Sequence, residues 1–246
     1  DHQSIKVKNL AEEEGPIGVQ LFDYRPEALT EAARRAEGSG AFLIDINMGC
    51  PVRKIAKKGG GSGLLRNPFL AAKIVKKVVN SVQVPVTVKT RLGWCSKSSN
   101  PIDFGLMLEE AGAQMITLHA RTKEQGFSGI ADWDAIAQVK AILKIPVIAN
   151  GDINNADDAL RCLAQTHADG VMIGRGTMGA PWLVGQIDSA LKGLPRIKTP
   201  NPQRRLEIAR EQLQCLLLAH GEHGLFIARK HMKLTCTGFP GAEQFR

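Results

Sequence analysis

No two of the five cysteines, Cys50, Cys95, Cys162, Cys215 and Cys236, stand at CxxC spacing. That absence removes the usual zinc-finger patterns, gives no sign of a disulfide framework and leads us to expect no metal. A reducing, cytoplasmic setting is the default expectation. No apolar run approaches the ~20 residues of a membrane span, so no membrane partner is expected. Asp1-His2-Gln3-Ser4 carries no signal-peptide pattern. No full Rossmann fingerprint is present, so the sequence does not separate NADPH from NADH, and it is silent on oligomeric state.

What remains is an ordinary soluble composition, 43% hydrophobic over 246 residues. The length suits one large α/β domain, with or without a small appendage. The net charge of +8 is unevenly placed. Residues 192–246 hold 10 Lys/Arg and 4 Asp/Glu, against 22 and 20 in the preceding 191 residues. A basic tail on a nearly neutral body suits a polyanion, nucleic acid before membrane. A solvated helical face explains the same charge equally well.

Short apolar runs alternate with helical patterns. Strands are expected at Ile17–Phe22, Phe42–Asn47, Val84–Lys89, Met115–His119, Ile145–Ala149 and Gly170–Ile173. Helices are expected at Pro26–Gly38, Pro68–Asn80, Pro101–Ala111, Trp133–Leu143 and Ala156–Ala164, where apolar residues recur every three or four positions. Asn154 to Asp157 offer caps for the last. This alternation implies parallel strands joined by right-handed crossovers. Beyond Gly174 the rhythm breaks. A proline-rich linker, Leu194 to Pro202, precedes helices expected at Arg204–Ala219 and Phe226–Leu234. The expected domains are 1–193 and 203–246.

Polar groups gather at the strand ends. Gln20 lies in the first strand, and Asn47 and Cys50 end the second. Lys89 and Arg91 end the third, and His119 and Arg121 the fourth. Asn150-Gly151-Asp152 and Gly174-Arg175-Gly176 end the last two. If the strands are parallel, all converge on one rim, where α/β folds place their chemistry. Core packing does not explain such a set, because buried charge is costly without a ligand. The last two turns offer backbone N–H groups and a guanidinium, which suits phosphate. A lone cysteine is most often a small buried thiol. Cys162 and Cys215 lie in helical patterns and are expected in the core, while Cys95 is an alternative reactive thiol.

Asp45-Ile46-Asn47-Met48-Gly49-Cys50-Pro51, Gly59–Leu65, Pro85–Gly93, Leu118–Thr122, Pro146–Ile153 and Met172–Gly176 together resemble the tRNA-dihydrouridine synthase family. So does the tail Ala228-Arg229-Lys230-His231-Met232-Lys233 with Gly238-Phe239-Pro240-Gly241. The bacterial B-type branch looks nearest. The resemblance implies an α/β fold, a (β/α)8 TIM barrel followed by a small helical tRNA-binding domain. It implies that the family's first two barrel strands, and a C-terminal portion, lie outside this chain. It also implies FMN as cofactor, NADPH as reductant, tRNA as partner, and reduction of the uracil 5,6 double bond. By motif position, Gln20, Lys89 and His119 would contact FMN, and Asn150, Gly151, Asp152, Gly174 and Arg175 its phosphate end. Asn47 and Arg91 would meet the uracil, Arg229, Lys230 and Lys233 the tRNA, and Cys50 would be the acid. Chemistry supports that last role. Reduction needs hydride at C6 and a proton at C5, and a thiol of pKa ~8.5 is protonated at neutral pH.

Two rivals stay open on sequence. One is an FMN barrel oxidoreductase acting on a free pyrimidine, against which the basic tail argues. The other is a truncated, catalytically impaired tRNA-binding protein.

Overall fold

A computed structural model describes residues 15–238 and Gly241. Phe239 and Pro240 of the expected tail motif, and positions 1–14 and 242–246 of the expected domains, lie outside the described residues.

Six parallel strands form one sheet in sequence order: β1 (Gly18–Leu21), β2 (Leu43–Asn47), β3 (Val86–Arg91), β4 (Met115–His119), β5 (Val147–Asn150) and β6 (Gly170–Met172). Between them run α1 (Pro26–Gly38), α2 (Arg53–Lys57), α3 (Pro68–Val79), α4 (Pro101–Glu110), α5 (Trp133–Ile142) and α6 (Ala156–Thr166). This is the order of consecutive units in a (β/α)8 barrel. Among the described residues, β1 and β6 are the sheet's two edges.

Local chemistry sets the helix starts. Pro26, Pro68 and Pro101 each occupy the first turn, where a missing N–H costs nothing. Asn67 accepts from the Leu70 N–H at 3.1 Å, and Asp132 from the Ala135 N–H at 3.0 Å. Such caps contribute about 1 kcal/mol each. Of the candidates before α6, Asn155 accepts from the Asp158 N–H at 2.8 Å. On α3 the spacing of Ala71, Ile74, Val75 and Val78 puts all four on one buried stripe.

Two strands begin later than the apolar pattern predicts. β3 starts at Val86, not Val84, and β5 at Val147, not Ile145. Pro85 and Pro146 have no N–H to give to a ladder, although their carbonyls accept from Ile44 and Ile116. The strands instead run on to Arg91 and Asn150, so these polar residues lie inside the sheet.

Register then sorts the side chains. Gln20 pairs with Asp45, Asn47 with Lys89, Arg91 with His119, and His119 with Asn150. Partners in register share a face. One face therefore carries Gln20, Asp45, Asn47, Thr87, Lys89, Arg91, Thr117, His119 and Asn150. The other carries Leu21, Ile44, Ile46, Val86, Val88, Ile116, Leu118, Val147 and Ala149, all buried. It is covered by helices such as α1 and α3. Each of the larger core side chains contributes roughly 2 kcal/mol.

Contacts divide the chain into two compact units. One runs to Gly151 and includes Cys162–Met172; the other comprises Asp152–Arg161 and the chain from Ile173. The second holds α7 (Leu183–Leu191), α8 (Pro202–His220) and α9 (His223–Thr235). α8 and α9 pack together, and Gly224 brings them close, because a Cβ there would collide with the Leu216 carbonyl. No described helix is long and apolar enough to cross a membrane.

Candidate functional site

A chain of side-chain hydrogen bonds crosses the polar face from β3 to the turn after β2. Thr87 Oγ1 donates to Asp45 Oδ1 at 2.7 Å. Gln20 Nε2 donates to Asp45 Oδ2 at 2.6 Å, and Asn47 Nδ2 donates to Gln20 Oε1 at 2.8 Å. Asn47 Oδ1 then accepts from the Cys50 N–H at 2.9 Å and the Gly49 N–H at 3.1 Å. The direction is forced. An ionised Asp45 only accepts, so Gln20 must turn its amide nitrogen towards it. That leaves the Gln20 oxygen for Asn47, and the Asn47 oxygen for the Cys50 turn.

Lys89 stands next on the same face. Its ammonium donates to Asn150 Oδ1 at 3.3 Å, and Asn150 Nδ2 donates to the Met172 carbonyl at 2.7 Å. Burial pushes the Lys89 ammonium below its usual range; the Arg91 charge adds to this, and the Asp45 carboxylate opposes it. Such a cation gains from an anionic or carbonyl-rich ligand.

Arg91 is buried among backbone carbonyls. Its Nε donates to Gly49 at 2.8 Å, and its Nη1 to Thr122 at 3.1 Å and Gly126 at 2.8 Å. One side chain thus ties the Cys50 turn to the loop after β4. The guanidinium lies 5.5 Å from the Phe127 ring, which is 6.0 Å from the buried His119 ring. Arg121 holds the same loop through Ser128 at 3.0 Å and Gly129 at 2.6 Å.

Cys50 is half-buried at the end of this network. Its carbonyl accepts from the Ser62 N–H at 3.1 Å, which seats the glycine run against it. Gly61 has φ +55, and a Cβ there would lie 3.0 Å from Cys50 Cβ. Of the other thiols, Cys95 has its pKa lowered, foremost by the Ser98 hydroxyl. Burial pushes Cys162 up to about 11. Cys215 is exposed, which corrects the expectation that it lies in the core. It shares the outer side of α8 with Glu211 and Leu218, three or four residues away.

Gly151 closes β5 with φ +127, and its carbonyl accepts from Trp133 Nε1 at 3.0 Å. Within the second unit, Arg175 Nη2 lies 3.7 Å from Asp152 Oδ1. Gly176 packs on the same turn, since a Cβ there would stand 2.8 Å from the Ile153 carbonyl. Gly174 has ample space around its Cα. On α9, Arg229, Lys230 and Lys233 are exposed, and the Arg229 guanidinium lies 5.4 Å from the Phe226 ring.

The first unit therefore gathers Gln20, Asn47, Lys89, Arg91, His119 and Asn150 on one sheet face, with Cys50 in the turn beyond it. Asp45, Thr87 and Phe127 were not singled out by sequence. Strict alternation with Asn47 is the signal that identifies Asp45. Phe127 has no such signal, being carried by an irregular loop. Among the described residues, no cluster of three or more His, Cys, Asp or Glu is placed to hold a metal.

A family model described as dihydrouridine synthase matches residues 1–246. A probable tRNA-dihydrouridine synthase 1 from Synechocystis sp. is 52% identical over 241 residues, covering 98% of this chain and 68% of that protein. A tRNA-dihydrouridine synthase B from Pseudomonas aeruginosa is 41% identical over 238 residues, covering 95% and 71%. Among solved structures, a 2-naphthoyl-CoA reductase complex aligns with TM-score 0.52 at 20% identity, covering 69% of this chain and 29% of that one. An N-succinyl Arg/Lys racemase from Bacillus cereus aligns with TM-score 0.53 at 15% identity, covering 72% and 42%. The chain thus spans less than half of either solved protein, and the likeness is one of fold.

Proposed function

The chain belongs to the dihydrouridine synthase family, and on that premise we propose that it reduces uridine in tRNA to dihydrouridine, with FMN as cofactor and NADPH as reductant. The observation that carries this reading is the polar sheet face ending in one oriented thiol turn. A parallel sheet that covers its other face with helices has no structural need for a lysine, an arginine, a histidine and three amides here.

The donor set suits an isoalloxazine ring. Lys89 offers a partly desolvated cation for a flavin carbonyl or ring nitrogen, while Gln20, Asn150 and His119 offer polar groups on the same face. Gly151, and the second unit's Asp152, Gly174 and Arg175, are proposed for the phosphate end. When bound, reduced flavin supplies the hydride for C6 of the uracil ring.

The chain's own residues do the rest. Cys50 Sγ holds the proton that C5 requires. Asn47 fixes the Cys50 backbone through its Oδ1, and the second hydrogen of its Nδ2 is the donor proposed to meet the base edge. Arg91, with three carbonyls engaged, positions the turn and screens charge that develops on the uracil carbonyls. Arg229, Lys230 and Lys233 are proposed to meet the tRNA backbone. The target uridine must leave its stack to reach this face. The activity is proposed for the compartment where tRNA is processed, the cytoplasm.

Replacing Cys50 tests the reading. Cys50→Ala is expected to retain flavin absorbance while dihydrouridine formation on unmodified tRNA falls at least 100-fold, within the usual range for loss of a general acid. Unchanged turnover in the purified variant removes Cys50 from the mechanism. A wild-type protein that stays colourless after incubation with FMN removes the flavin.

A further inference from the structure

A second recognition feature lies beside this site, on the turns that leave β1 and β2. A cleft of about 570 Å³ is lined by Phe22, Tyr24, Arg25, Val52, Lys54 and Lys58, among others. It begins two residues after Gln20 and two after Cys50. Phe22 is 54% exposed, Tyr24 40% and Val52 53%. Three exposed apolar side chains around one concavity have a ligand-like surface to cover.

The charge around it is mostly positive. Arg53, Lys54, Lys57 and Lys58 are all exposed, and among the described residues none of the four is in an ion pair. The cleft's one carboxylate, Asp23, is already committed. It pairs with Arg25 at 2.7 Å and accepts from the Tyr24 and Arg25 N–H groups at 2.6 and 3.0 Å. Between Asp45 and Asp103 the sequence has eleven Lys/Arg and no Asp or Glu.

We propose that this cleft holds an unpaired nucleotide of the RNA next to the target uridine, its base against Tyr24 and Phe22 and its phosphates on Lys54 and Lys58. Aromatic surface edged by cations is the chemistry that grips a single-stranded nucleotide without reading its sequence. The reasoning rests on the RNA-substrate reading above. It adds that one neighbour of the uridine is also unstacked and gripped by the first unit itself, independently of α9.

The test measures binding of a fluorescent decauridylate and of a tRNA transcript by anisotropy, using the full chain. Tyr24→Ala and Phe22→Ala should each weaken decauridylate binding about 5- to 150-fold, and Tyr24→Phe should bind like wild type. Lys54→Ala combined with Lys58→Ala should lower the salt slope for decauridylate by about 1.4, at ~0.7 per lost phosphate contact. All four should melt near the wild-type temperature, because the altered side chains are exposed. Wild-type binding that survives Tyr24→Ala and Phe22→Ala intact overturns the cleft and leaves the tRNA reading standing. Wild-type protein that binds neither RNA overturns both. Displacement of decauridylate by NADPH, with NADPH affinity lost in Tyr24→Ala, reassigns the cleft to the reductant and overturns the proposal.

Discussion

Asp45 accepts from Thr87 and Gln20 through its two oxygens, and that arrangement orients two amides and a thiol turn. Asp45→Ala frees the Gln20 amide to flip, which would present Asn47 with the wrong group. Dihydrouridine formation is expected to fall at least ~10-fold, while Asp45→Asn, which still offers an oxygen to Gln20, should lose far less. Equal losses in a steady-state assay would refute the orienting role. Lys89 makes a different prediction. Its folded pKa lies below the unfolded value of ~10.4. Below the folded pKa both states carry the charge, and the folded state bears its full burial cost. As pH rises from the folded towards the unfolded value, the unfolded chain holds more protons and stability increases. Lys89→Met should therefore raise the melting temperature at pH 7 and flatten the rise towards pH 10. Thermal melts at both pH values check this, and flavin absorbance should be lost from the same variant.

At the scale of elements, sequence and structure agree where caps and periodicity act together. α3 carries its proline, its Asn67 cap and its apolar stripe in plain view, and it forms where expected. The strands drift where proline intervenes, because hydropathy does not register a missing N–H at Pro85 or Pro146. α2 has only Ile55 and Ala56 as apolar residues in five positions, too few to show a period. α7 is interrupted by Gly185, which weakens its helical signal although the helix forms. The glycine run is an element of a different kind, since it is needed for close approach. Gly61→Ala adds a methyl 3.0 Å from Cys50 Cβ at a left-handed φ. A cost of about 1–2 kcal/mol in urea melts is expected, with a larger fall in turnover than the stability loss explains.

At the scale of the whole molecule, charge carries the argument. If Arg229, Lys230 and Lys233 each meet a phosphate of folded tRNA, replacing all three with alanine lowers the salt slope of binding by about 2.7. Titrations at several salt concentrations read this directly, and an unchanged slope removes α9 from the interface. The basic tail was legible from residue counts alone. The basic stretch from 46 to 102 was not, because acidic residues elsewhere cancel it in any sum taken over the first 191 positions. By itself the sequence determined the alternation of strands and helices, the set of polar residues at the strand ends, and the family motifs around Asn47 and Cys50. These are local or repeated patterns, and chain order is enough to show them. Only the tertiary structure decided that Asp45 directs the amides, that Arg91 is spent on carbonyls at Gly49, Thr122 and Gly126, and that Phe22 and Tyr24 face a cleft with Lys54 and Lys58. Each of those facts joins residues far apart in the chain, and register, loop path and burial fix them only once the strands have paired.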